Sequence, residues 1–97
     1  MYLARVIGNV VAPVQHAFYR DKRILLVRRT DPGANLTGPD RVAVALVDAG
    51  LEDLVLVMEE GSSARDLFGD KSAPVRSVIV GVVDEVEVEG QRVAGNE

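Results

Sequence analysis

Gly61-Ser62-Ser63-Ala64-Arg65 interrupts a chain that otherwise reads as strands. Leu54-Val55-Leu56-Val57 stands just before it. Val78-Ile79-Val80-Gly81-Val82-Val83-Asp84 follows after a short polar loop. Both flanks are apolar, rich in valine and of strand length. Between them, Ser63 is followed three residues on by Asp66, which fits a capping box. The hydroxyl accepts an orphan amide of the first helical turn, and the acid reaches back to the cap. Leu67 and Phe68 give that turn an apolar side, and Gly69 can end it with a positive φ. The stretch predicts one short helix joining two strands of an all-β chain.

Working outward, the strand pattern repeats. Residues 2–12 alternate Tyr2, Ala4, Val6, Gly8 and Val10 on one face with Leu3, Arg5, Ile7, Asn9 and Val11 on the other. The first face suits the inside of a tight barrel. The second holds too much Leu, Ile and Val for a fully wet surface. Ile24 to Thr30 forms a second strand whose first half is apolar on both faces. Residues 31–40 are rich in turn formers and predict an exposed loop. Arg41 to Val47, Asp53 to Glu59 and Ser77 to Glu89 complete five strands. Gly90 to Glu97 reads as a frayed polar tail. The expected division is one domain over 1–89 and a tail over 90–97.

Ninety-seven residues make one domain, and a chain so short hides only about 60–70% of its unfolded surface. Association would add to its stability. Eighteen valines against 4% aromatics predict an aliphatic β core. With no cysteine, disulfides and thiolate metal sites are excluded. No basic, long apolar leader opens the chain and no apolar run has membrane-span length, so the simplest expectation is a cytosolic protein. The net charge of −4 argues against nonspecific nucleic-acid binding. Arg20, Lys22, Arg23, Arg28 and Arg29 cluster in one region, while Asp84, Glu85, Glu87 and Glu89 cluster in another. Each cluster reads either as a solvated face or as one half of a subunit contact.

No pattern carries catalysis. The chain lacks G-x-S-x-G, H-E-x-x-H and a phosphate loop. His16 is the lone histidine, with no nucleophile or metal-ligand spacing beside it. No enzyme activity, cofactor or metal is expected. Two other classes remain: an assembly component, and a monomeric OB-type barrel that binds single-stranded nucleic acid or another ligand. Nucleic-acid barrels of that kind need stacking aromatics on a basic groove; here two Phe and two Tyr are scattered.

The ordered set of segments, from Met1-Tyr2-Leu3-Ala4-Arg5-Val6-Ile7-Gly8-Asn9-Val10-Val11 through Leu54–Val57 and Gly61–Arg65 to Val78–Asp84, resembles the vertex-protein family of bacterial microcompartments, the EutN/CcmL family. The resemblance covers residues 1 to 88. It implies a small five-stranded, OB-like β-barrel that assembles as a cyclic pentamer. Such rings close the corners of a polyhedral shell in the bacterial cytoplasm, beside hexameric shell proteins, with no membrane or nucleic-acid partner. The chain departs from the family at one turn: Ala45 stands where an acid is expected, and Asp48 and Glu52 where glycines are common.

Three expectations concern particular residues. Leu3, Ile7 and Val11, with Leu25 and Val27, are expected at subunit contacts, because strands apolar on both faces exceed what one small core absorbs. Gly61, Ser62, Ser63, Ala64 and Arg65 are expected to serve assembly, Ser63 as the cap and Arg65 by reaching an acid or carbonyl; the resemblance implies this role. Asp84 falls by strand parity on the apolar face of Val78, Val80, Val82, Val86 and Val88. It is expected to be buried and satisfied by backbone amides or by an arginine, with Arg5 and Arg65 the candidates, the alternatives being a bulge near Gly81 that turns it outward or a place in water at the barrel mouth.

Overall fold

A computed structural model of the chain describes residues 1–12, 17–59, 69 and 76–95. Seven strands follow in order: β1 Tyr2–Val10, β2 Ile24–Thr30, β3 Leu36–Ala45, β4 Leu54–Glu59, β5 Ser77–Val82, β6 Glu85–Val88 and β7 Gln91–Gly95. The first five close into a barrel in the order β1-β2-β3-β5-β4, and β6 with β7 forms a separate two-stranded sheet. All barrel neighbours are antiparallel except β3 and β5. Closure leaves no barrel strand with an open edge. The all-β, five-stranded OB-like barrel expected from the sequence is therefore present; the helix expected after Ser63 lies outside the described residues.

Alternation explains the core. Tyr2, Ala4, Val6, Leu25, Val27, Ala43, Val55, Val57 and Ile79 point inward and form one buried cluster. A second layer sits on the outside of β3 and β5. There a 3₁₀ turn, Ala17–Tyr19, lays Phe18 over Val44 and Val78, with Tyr19, Met58 and Val80 beside them. Lys22 closes this layer: its Nζ lies 4.2 Å from the Phe18 ring centroid and donates to Phe18 O at 2.9 Å. Part of the apolar surplus is thus absorbed by the chain itself.

Four expectations are corrected. First, β3 begins at Leu36. Asp31 gathers a tight turn, accepting from Ala34 N at 3.0 Å and, through Oδ1, from Asn35 N at 2.9 Å. Leu36 then pairs with Thr30. Second, the run 77–89 is two strands. Val83 N donates to Leu54 O at 2.9 Å as the chain leaves the barrel, and β6 starts two residues later. Third, residues 91–95 of the expected tail pair with β6. Fourth, bulges reverse strand parity. In β1 the ladder passes from Val6↔Val27 to Gly8↔Leu26, and in β5 from Ile79↔Val57 to Gly81↔Leu56. One extra residue turns every later side chain to the other face.

Candidate assembly surfaces

Residues opposite each other in register share a face. Because Leu25 and Val27 are buried in the barrel at 1% and 0% exposure, Ile24 and Leu26 must point out. Leu26 stands between Gly8 on β1 and Val42 on β3, making one apolar row on the outer face. Val10 and Ile24 make the start of the next row, whose third member, Val44, is covered by Phe18. Across the barrel, Leu3, Leu56 and Gly81 make a second outer row. Leu3, Leu26 and Leu56 are half-buried, and Val42 is 54% exposed.

Neither Gly8 nor Gly81 needs a positive φ, and a Cβ at either would meet Leu26 or Leu56 at an ordinary 3.6 or 3.9 Å. The chain's own packing admits alanine at both. Their effect is to leave flat backbone shelves beside an outward leucine, where another surface can come close.

The expected contact residues divide accordingly. Leu3 and Ile7 are half-buried and Val11 is 82% exposed, all available to a partner. Leu25 and Val27 are core residues, which corrects their placement at subunit contacts. Alternation located two faces on β2 but not which one barrel closure turns inward. Leu26 and Val42 were missed for the same reason, though the apolar alternation of Ile24 with Leu26 was a visible signal. Gly61, Ser62, Ser63, Ala64 and Arg65 lie outside the described residues.

Asp84 is exposed, which corrects the expectation of burial. The bulge at Val80 breaks the parity on which that expectation stood, and the strand ends before Asp84. Arg5 instead donates from Nη1 to Glu52 O at 2.8 Å. Asp84→Asn is accordingly expected to change the stability of the single chain by less than about 0.5 kcal/mol. A urea midpoint shifted well beyond that would return Asp84 to the structural residues.

The turn at which the chain departs from the pattern it resembles sits on the β1 bulge. Glu52 N donates to Val6 O at 2.8 Å, and Val6 N to Asp53 O at 3.0 Å. Asp53 Oδ2 accepts from Gly50 N at 2.8 Å. Glu52 holds a φ of 71°. That left-handed conformation costs a non-glycine residue about 1–2 kcal/mol, which explains why glycine suits the position. Part of the gain from glycine is lost to its freer unfolded chain, about 0.4–1 kcal/mol. Glu52→Gly should therefore raise the melting temperature modestly; a lower value would mean that the Glu52 side chain has a role the turn conceals. Beside this turn, Arg5, Val6, Ile7, Leu51 and Glu52 line an open groove of about 650 Å³.

The basic cluster is largely neutralised within the chain. Lys22 meets Asp21 at 3.2 Å, and Arg23 meets Asp48 at 3.3 Å and Ala49 O at 2.6 Å. Arg28 grips Asp40 with a fork, Nε to Oδ1 at 2.6 Å and Nη2 to Oδ2 at 3.2 Å. That hydrogen bonding holds the Asp40 carboxyl below its ordinary value. Since the folded value is the lower one, the pair's contribution is complete above the ordinary 3.8 and is lost as pH falls through the depressed value. A carbon-detected titration should show the Asp40 midpoint rise in Arg28→Ala; an unmoved midpoint would mean the fork does not hold in solution. Among the described residues, Arg20 and Arg29 have no carboxylate partner.

At one barrel mouth Arg29 stacks over Tyr2 at 4.9 Å, and Glu59 accepts from Arg41 at 3.3 Å and Ser77 at 3.2 Å. Burial, with the Glu59 carboxylate nearby, raises the Tyr2 phenol above its ordinary value. Ser77 directs its hydroxyl to Glu59, and Tyr2 Oη is left buried without a hydrogen-bond partner of sound geometry among the described residues. The cavity there is only about 20 Å³, room for one water and not for a substrate.

Comparison with known proteins gives these surfaces a context. Residues 1–84 match the family model described as ethanolamine utilisation protein EutN/carboxysome. The chain is 37% identical over 91 residues to the bacterial microcompartment shell vertex protein EutN of Escherichia coli K12, covering 94% of this chain and 95% of that protein. It is 41% identical over 88 residues to the shell vertex protein PduN of Salmonella typhimurium LT2, covering 87% and 96%. Among solved structures it is similar to the GrpN pentameric microcompartment shell protein from Rhodospirillum rubrum, with a TM-score of 0.81, 34% identity and coverage of 91% and 99%.

Proposed function

The chain belongs to the EutN/CcmL family, and from that premise we propose how it works as a shell vertex protein. It is a structural protein that forms pentameric vertices of a bacterial microcompartment shell. The observation that carries the reading from family to this chain is that the match spans nearly its whole length, so the barrel is the vertex unit itself. The task is geometric. A sheet of six-fold tiles is flat, and five-fold units at its corners let it close. A cyclic interface is heterologous, so two different patches of one chain must meet. The Gly8–Leu26–Val42 row and the Leu3–Leu56–Gly81 row are two such patches, on opposite sides of one barrel.

The finer parts of the reading are these. The hexameric tiles are its neighbours in the shell, and the shell stands in the bacterial cytoplasm. No described helix is long and apolar enough to cross a membrane. The protein carries out no catalysis. A monomeric nucleic-acid barrel lacks support: Tyr2 and Phe18 are buried and Tyr19 packs edge-on against Phe18, 5.1 Å between centroids. Exposed rings on a basic groove are what that function requires. Ser63 as a cap and Arg65 as an assembly contact remain part of the proposal.

Sedimentation should give five times the 10.4 kDa chain mass. Coexpression with hexameric shell tiles should give closed polyhedral shells with this chain and open ones without it. A monomer that shifts on adding oligonucleotide, or shells that close equally well in its absence, would overturn the reading.

A further inference from the structure

The polar groups at the Tyr2 mouth of the barrel are placed there by register. Tyr2 and Ala4 share the inward face of β1, and Ala4 stands opposite Arg29. Val27, on the same face of β2 as Arg29, stands opposite Arg41. Val57, opposite Tyr2, shares its face with Glu59, and Glu59 stands opposite Ser77. The layer beneath is apolar, with Ala4, Val27, Val57 and Ile79 in the core cluster. An aliphatic core is thus crowned by polar side chains from all five barrel strands.

The wall has few ladder bonds at this end. β3 joins β5 through Val44↔Val78 and Ala45↔Ile79. Nearer the mouth, side chains hold the two sides together: Arg41 Nε and Ser77 Oγ donate to Glu59 Oε1 at 3.3 and 3.2 Å. Both bonds use the same carboxylate oxygen. Among the described residues no donor reaches Glu59 Oε2, and the Arg29 guanidinium lies over the Tyr2 ring without an acceptor. Tyr2 is 9% exposed, and its Oη is buried with no partner among the described residues. A phenol can donate and accept, and burying it with neither bond made is costly.

Tyr2, Arg29, Pro39, Arg41 and Glu59 enclose about 20 Å³. A cavity of about 10–15 Å³ admits one water if two to four polar groups face it, whereas larger apolar cavities stay dry. Here all the lining residues except Pro39 are polar. We propose that this cavity is a built site for one water molecule, which accepts from Tyr2 Oη and from Arg29 or Arg41 and donates to Glu59 Oε2. That water joins β1 to β4, and both to β2 or β3, where the β3–β5 ladder has ended. A halide ion is the competing occupant. The two guanidinium groups would favour it, but Glu59 Oε2 would face it charge to charge, whereas water gives that oxygen a hydrogen. Every group of the site belongs to one protomer, so its occupancy stands apart from the vertex reading.

A crystal structure of the full chain, grown with bromide in place of chloride and at a resolution that shows ordered water, tests the site. The expected result is one density peak within hydrogen-bond distance of both Tyr2 Oη and Glu59 Oε2, with no anomalous signal at the bromine edge. An anomalous peak there, no density between the two groups, or a protein atom bonded directly to Tyr2 Oη overturns the proposal. Tyr2→Phe adds an energetic reading at fixed protein concentration. If Tyr2 Oη holds a water, the change takes away one of that water's partners and the urea midpoint should fall. If Tyr2 Oη is buried dry, the change removes an unpaired polar group and the midpoint should rise. A midpoint that rises or stays unchanged overturns the proposal.

Discussion

Leu25→Ala should unfold the protomer before it disturbs anything else. Leu25 is 1% exposed and lies opposite Ala43, deep in a barrel whose wall is aliphatic. Removing its isobutyl group loses burial free energy and leaves a hole, because a closed barrel cannot collapse around it: both neighbours of β2 are held in register by ladders. Leucine-to-alanine changes at such sites cost about 2–5 kcal/mol, a large share of what a domain of this size possesses. The expected readout is a lower urea midpoint of the chain under conditions where it is monomeric, with the ring lost only as a consequence. Binding among subunits stabilises the folded state by mass action, so the comparison belongs at fixed concentration. A Leu25→Ala protein that keeps its midpoint and loses only the ring would return Leu25 to the subunit contact.

Leu26→Asp should do the reverse. Its side chain begins half-buried on the outer face, so a carboxylate there remains in water in the free chain and the barrel keeps its circular dichroism and melting behaviour. In a ring the same carboxylate would be taken out of water with no cation beside it on the row Gly8–Leu26–Val42. Burying an unpaired charge is costly enough to outweigh an apolar contact outright. Every interface of a cyclic assembly carries the change, and the ring should fall to folded monomers. Leu3→Asp on the opposite row should give the same result. Rings that persist at micromolar concentration in both variants would mean that neither row is a subunit contact. The pair Leu25 and Leu26 thus makes a sharp comparison: adjacent leucines, one change read in folding and the other in assembly.

Strand existence was written locally. Runs of β-branched residues separated by turn formers placed β1, β2 and β4 nearly to the residue, and the near absence of aromatics foretold an aliphatic core. The family, too, was legible, because the order of short segments in a chain of this size is itself a pattern. The hairpin was missed because its turn is Glu89-Gly90, a weaker signal than the Asn-Gly or Asp-Gly that marks most turns of this kind. What alternation cannot state is which of two apolar faces is inside. That was decided when β3 paired with β5 and the barrel closed, turning Leu25 and Val27 inward and leaving Leu26 out. Bulges at Ile7 and Val80 are likewise set by cross-strand register, and each reverses parity for the rest of its strand; Asp84 lies in solvent because β5 ends at Val82, before it. The fate of the outer apolar residues was also tertiary: Phe18, distant in sequence from Val44 and Val78, covers them and leaves the leucine rows bare. The sequence by itself determined how much apolar surface the chain would carry, while the closed barrel decided which part became core and which part remained for other subunits.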